Sequence, residues 1–267
     1  MFSPKVFVVE FIGTFALVFV GAASGLYNVG VLGVALAHGL TLAVFVYVYG
    51  HISGTHINPA VTLGLASNGN IKWSEAVVYW VAQLSGATLA AFLLRTFVSL
   101  IDANAVAAMA TNGVLTTDHP YYAMAVEALL TFFLVNTVLH TAVGGKAGPF
   151  AGWAIGTTLT IAILAGGPLT GASLNPARSF GPAIFTTAIT AGTPDFQNPI
   201  FYLIYFVGPF IGSIVAVLLY QFLKAEPAMD EEFEEVEEVE VVEEVVVVEK
   251  PVKKPARKSP VRKSTIK

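Results

Sequence analysis

GTHINPAVT (residues 54–62) and GASLNPARSFGPA (residues 171–183) carry the tripeptide Asn-Pro-Ala twice, at Asn58, Pro59, Ala60 and at Asn175, Pro176, Ala177. Pro is favoured in the first turn of a helix because its missing N–H has no intrahelical partner there, and Asn is a good N-cap. Each tripeptide therefore predicts a helix start. Both starts lie among strongly apolar segments. Irregular backbone at lipid depth is tolerated only where it lines a cavity or is buried in protein, since lipid offers no hydrogen bonds. Two matched turns of this kind point to a pore.

The composition places the chain in a membrane independently. Hydrophobic residues make up 55% of the 267, charged residues 12%, and the mean hydropathy is +0.71, a poor match to a soluble domain. The charges are also unevenly spread. Residues 1–229 hold six basic side chains (Lys5, Lys72, Arg95, Lys146, Arg178, Lys224) and seven acidic ones (Glu10, Glu75, Asp102, Asp118, Glu127, Asp195, Glu226), and the last 38 positions hold eight basic and eleven acidic. The break predicts a membrane domain over residues 1–224 and a charged tail over 225–267. The net charge of −4 thus describes mainly the tail and says little about any ligand. The tail alternates Glu with Val over residues 230–249 and is basic and Pro-rich over 250–267, with Ser259 and Ser264 beside basic or Pro residues that kinases often favour. Blocks of like charge are usually disordered and solvated; the alternatives are that the two blocks fold back on each other, that the basic end binds anionic lipid, or that the tail docks a partner.

Six stretches, at about 6–25, 31–50, 74–98, 121–142, 150–166 and 199–222, are long and apolar enough, or nearly so, to cross a ~30 Å hydrocarbon layer. The first resembles a signal peptide in having Lys5 before an apolar run, but Glu10 interrupts the core such a peptide requires. With six alternating spans, Lys5, Lys72, Lys146 and Lys224 fall on one side and Asp102, Asp118 and Asp195 on the other. The excess of Lys puts both termini in the cytoplasm. Arg95, near the far end of the third span, is the one dissenting charge.

The chain also repeats. Glu10 and Glu127 are 117 positions apart, as are Asn58 and Asn175, and VVEFIGTF (8–15) echoes AVEALLTF (125–132). The third span of each half carries a small-residue ladder, Ala82, Gly86, Ala90 and Gly208, Gly212, Ala216, which lets helices pack closely. Repeat one covers about 1–110 and repeat two about 115–224. Three spans per repeat is an odd number, so the second copy enters from the opposite side and the repeats are inverted. The segments after the two turns, about 58–67 and 175–186, have room for only roughly 15–18 Å of helix. As half-spans entering from opposite sides, they bring their positive ends together near the midplane, where they repel protons and cations.

GHISGTHINPAVTLG (50–64) and GASLNPARSFGPA, in register with six spans over about residues 6–222, resemble the aquaporin or major intrinsic protein family. The resemblance implies an all-α membrane protein of six transmembrane helices plus two re-entrant half-helices around a narrow passive pore, usually four pores per homotetramer. It also implies that Asn58 and Asn175 donate amide N–H groups to single-file water and break the proton wire. Glu10 and Glu127 are expected to accept hydrogen bonds from the backbone of the re-entrant loops, because buried polar groups must be paired.

By family register the selectivity filter is His38, Ile163, Ala172 and Arg178, a set similar to plant vacuolar-membrane aquaporins; their location is not carried over. Water-only members resemble one another in Phe, His, a small residue and Arg, and glycerol facilitators in Trp, Gly, Phe and Arg. Ser179, Ala183, Tyr205 and Phe206 lean toward water channels. Some vacuolar-type members have a His in the loop after the third span, where this chain has only Asn104 nearby. The expected function is passive conduction of water, with small neutral solutes such as glycerol, urea or ammonia, and exclusion of protons and ions. The alternatives are an aquaglyceroporin conducting mainly glycerol and an alternating-access transporter using the buried carboxylates as proton relays. No Cys, no metal-ligand cluster and no nucleophile with a paired base speak for an enzyme, and no cofactor, metal or nucleic-acid partner is expected. The lipid bilayer is the expected surrounding partner.

Overall fold

A computed structural model describes residues 3–27, 29–101, 109, 113–186 and 196–224. Asp102, Asn104, Asp195, Glu226, Ser259 and Ser264, with the whole tail from 225, lie outside the described residues. Among the described residues there is no strand. Six helices span: α1 Pro4–Leu26, α2 Gly30–Ser53, α4 Trp73–Ser99, α5 Pro120–Val143, α6 Gly148–Thr170 and α8 Pro199–Lys224. Two short ones, α3 Pro59–Ser67 and α7 Pro176–Thr186, follow the Asn-Pro-Ala turns.

The helix ends follow from local chemistry. Pro occupies the first turn of α1, α3, α5 and α8. α2 and α6 stop at Gly54 and Gly171, whose φ of 81° and 86° is left-handed and whose N–H returns to Gly50 O and Gly167 O. Gly is the residue that adopts this conformation without a Cβ penalty. The fifth span is expected at about 150–166, but α6 continues through Pro168 to Thr170. A proline close to the C-terminal end removes one hydrogen bond and leaves the rest of the ladder intact. A single π-turn at Leu139–Val143 ends α5, and one at Leu203–Val207 interrupts α8.

Packing repeats as the sequence does. α1 lies on α4 and α5 on α8, while α2 and α6 face each other across the repeat boundary. Each half-helix packs against the last span of the other repeat, α7 on α4 and α3 on α8. Close approach is enforced at the ladders: a Cβ built on Gly86 would lie 2.4 Å from Phe11 O, and one on Gly212 2.0 Å from Ala128 O. The inner core gathers Leu17, Leu42, Ile57, Leu134, Ile155 and Leu174, and large apolar side chains such as Leu32, Val44, Phe92 and Leu218 face outward. Outward apolar surface on every span suits lipid as solvent.

Candidate pore

Two buried carboxylates hold the re-entrant loops. Glu10 Oε1 accepts from Ser53 Oγ (2.6 Å) and His56 N (2.9 Å), and Oε2 accepts from Ile57 N (2.7 Å). Glu127 repeats the pattern 117 positions later, accepting from Thr170 Oγ1 (2.7 Å), Ser173 N (2.9 Å) and Leu174 N (2.8 Å). Tyr79 and Tyr205 close the two clusters from the third spans, each hydroxyl donating to the carbonyl of Ser53 or Thr170 at 2.7 Å. The bonds are needed because the loop backbone is contorted. Thr55, Ile57, Ala172 and Leu174 have φ of 50°, 38°, 42° and 55°, conformations costing non-glycine residues about 1–3 kcal/mol each.

Those loops place the asparagines. Asn58 Oδ1 accepts from Ala60 N (2.8 Å), and Asn175 Oδ1 accepts from Ala177 N (3.0 Å) and Arg178 N (3.2 Å), so both cap their half-helices. The caps fix which end of each amide is nitrogen. Asn58 Nδ2 donates to Leu174 O (2.8 Å) and Asn175 Nδ2 to Ile57 O (2.9 Å), crossing between the repeats. An amide NH2 has two hydrogens. One N–H of each asparagine therefore remains, and both residues line the same central cavity. Pro59, Ala60, Pro176 and Ala177 are buried in the first turns behind them.

The remaining lining is mostly apolar, from Leu17, Leu42, Leu134, Val138, Ile155 and Leu159. The polar part comes from the first loop, where Gly54 can contribute only backbone, and from His56, His38 and Arg178. Sequence reasoning passed over His56, although it stands two places before Asn58. Its ring stacks on Tyr79 at 4.4 Å, and Nδ1 lies 3.1 Å from Thr62 Oγ1. Thr62 Oγ1 gives its one hydrogen to Asn58 O (3.0 Å) and accepts from Gln83 Nε2 (2.9 Å). His56 Nδ1 must then be the donor, leaving Nε2 as an acceptor. Gln83, also not anticipated, ties this cluster to Glu10 Oε2 at 2.9 Å.

Of the four expected filter residues, the structure brings His38 and Arg178 together. Arg178 Nε donates to His38 Nε2 (3.1 Å) and Nη1 to Gly171 O (3.3 Å); His38 Nδ1 donates to Val34 O (2.9 Å). Both imidazole nitrogens are thus engaged within the protein. Gly21 of α1 makes the slot, since a Cβ there would lie 2.2 Å from His38 Nε2. Ile163 and Ala172 are buried in the apolar core and are not among the residues lining the cavity that holds His38 and Arg178. Burial alone does not set them apart, because His38 is itself only 2% exposed and Asn58 4%. Among the described residues no cluster of His, Cys, Asp or Glu could hold a metal.

The sequence model of the family described as "Major intrinsic protein" matches residues 2–220. A tobacco (Nicotiana tabacum) protein, "Probable aquaporin TIP-type RB7-18C", is 40% identical over 232 residues, covering 82% of this chain and 86% of its own. "Aquaporin NIP2-3" of Zea mays is 36% identical over 228 residues, covering 82% of this chain and 69% of its own. Among solved structures, the aquaglyceroporin from Plasmodium falciparum aligns with a TM-score of 0.69 and 26% identity, over 81% of this chain and 94% of that one.

Proposed function

We propose, from the premise that this chain belongs to the major intrinsic protein family, that it is a passive membrane channel for water. The observation that carries the reading is the crossed pair of asparagines. Each spends its amide oxygen on a cap and one N–H on the other loop, keeping one N–H for the pore. A water accepting from both donors turns its own hydrogens away from the midplane, so a hydrogen-bonded chain cannot run through it. The half-helix N-termini behind the asparagines add a positive potential against protons and cations, the effect already recognised for aquaporins.

Arg178 and His38 form the narrow polar end of the path, with Ile163 and Ala172 as the proposed aliphatic wall. An aliphatic residue at 163, where water-only members have His, leaves room and apolar surface for small neutral solutes such as glycerol, urea or ammonia. Glu10 and Glu127 are structural anchors; each already holds three hydrogen bonds to its loop. With six alternating spans, Lys5, Lys72, Lys146 and Lys224 fall on one side, and that excess favours cytoplasmic termini. The functional unit is a homotetramer with one pore per chain.

Stopped-flow measurements on proteoliposomes, run in parallel with water, glycerol, urea and ammonia, test the reading. Water flux well above empty vesicles is expected. For solutes, Ile163→His should retain most of the water permeability and reduce that for glycerol or urea about tenfold, equivalent to about 1.4 kcal/mol of added barrier. Equal losses for water and solute would remove Ile163 from the filter.

A further inference from the structure

Matched grooves on the outer faces of α4 and α8 differ in one charge. The first runs along α4 from Val81 to Phe92 and is flanked by Phe185 of α7. The second runs along α8 from Val207 to Val215, and its five lining positions each fall 126 places after a lining position of the first. Ser85 and Thr88 turn their hydroxyls back to Val81 O (2.6 Å) and Leu84 O (2.8 Å), so the first groove presents apolar surface like the second.

The grooves diverge at one end. Continuing that 126-place register, α4 carries Arg95 where α8 carries Gln221; in the 117-place register of the two Asn-Pro-Ala turns, α7 carries Phe185 where α3 is followed by Asn68. Gln221 Nε2 donates to Asn68 Oδ1 at 3.3 Å, a neutral and self-satisfied pair. The Arg95 guanidinium is instead exposed and lies 5.7 Å from the centroid of the Phe185 ring. Among the described residues no carboxylate pairs with it. Arg95 stands about 14 Å along α4 from Gly86 at mid-helix, against about 15 Å for half the hydrocarbon thickness. At that depth the long side chain reaches the headgroup layer, where the guanidinium fork suits phosphate.

We propose that the groove between α4 and α7 is a binding site for an acidic glycerophospholipid, with its phosphate on Arg95 and an acyl chain along α4 toward Val81. From Arg95 to Gly86 the outer face of α4 runs about 14 Å, close to one leaflet's depth, and the groove continues past mid-helix to Val81. An acidic headgroup is favoured over a zwitterionic one because a choline cation would compete with the guanidinium for the same phosphate.

The test is native mass spectrometry of the full-length chain titrated with phosphatidylglycerol or with phosphatidylcholine of identical acyl chains. Wild type should show one site preferring phosphatidylglycerol by about fivefold, the factor expected for one basic residue near an anionic surface. Arg95→Gln should bring that site to parity while leaving water permeability unchanged. Gln221→Arg should create a second preferring site on α8. Equal binding of the two lipids by wild type, or a preference retained in Arg95→Gln and therefore owed to other basic residues such as those of 250–267, overturns the proposal. A smaller oligomer in Arg95→Gln overturns it too, by giving the groove to a second copy of the chain.

Discussion

His38 fits where it does because residue 21 has no side chain. Its imidazole fills the space a Cβ would take and accepts from Arg178, so a methyl on α1 should be felt at the pore. Gly21→Ala should push the ring toward the path and lower water permeability about tenfold per inserted channel. Shortening the ring's own side chain in the double variant Gly21→Ala/His38→Ala should restore flux. Wild-type flux in Gly21→Ala alone would show that the slot is not restrictive. Ala172 offers an independent check of the filter. The wild type has no Cys and should resist mercurials, whereas Ala172→Cys should become mercury-sensitive; a conducting mutant that stays insensitive would place residue 172 off the pore. Asn58, Asn175, Glu10 and Glu127 could be read because the same motif occurs twice at one spacing. Gly21, His56 and Gln83 could not, since their roles depend on how neighbouring helices are rotated, and a single glycine or glutamine in an apolar run carries no sign of that.

At the scale of helices, the ladders were legible because small residues four apart have a direct physical reading, and the structure uses both as contact faces. Gly86 meets backbone of α1 and Gly212 backbone of α5, neither of which can yield as a side-chain tip could. Gly86→Leu and Gly212→Leu should each abolish the monodisperse peak on size-exclusion chromatography. Gly50→Ala, whose added Cβ would meet only Val46 Cγ1 at 3.9 Å, should leave the peak in place. A well-behaved Gly86→Leu protein would contradict the packing of α1 on α4. Less of the helix-end detail could be foreseen. The fifth span is placed at about 150–166, but Gly166, Gly167 and Pro168 sit inside α6, and its end is set at Gly171, where the left-handed turn into the loop is made. The π-turns in α5 and α8 leave no pattern in hydropathy, because an extra residue in one turn changes hydrogen bonding without changing polarity.

At the scale of the whole molecule, the 117-residue repeat is what joins these parts into one pore. Each half supplies a carboxylate, a capped asparagine and a half-helix, and the asparagine of each half donates to the loop of the other, so neither half completes the midplane alone. The carboxylates, asparagines and half-helices that build the pore all fall within residues 10–186, and a chain ending at Lys224 is expected to conduct water as the full chain does; a loss of permeability per inserted protein would give residues 225–267 a role in the channel. The central claim is that the crossed asparagines let water through while interrupting proton transfer. Its most direct test is simultaneous measurement of water flux and proton flux in proteoliposomes with protein insertion verified. Fast water flux of low activation energy, with proton leak equal to that of empty vesicles, is the predicted result. Water flux no greater than in empty vesicles, or proton flux rising in step with water, would contradict it.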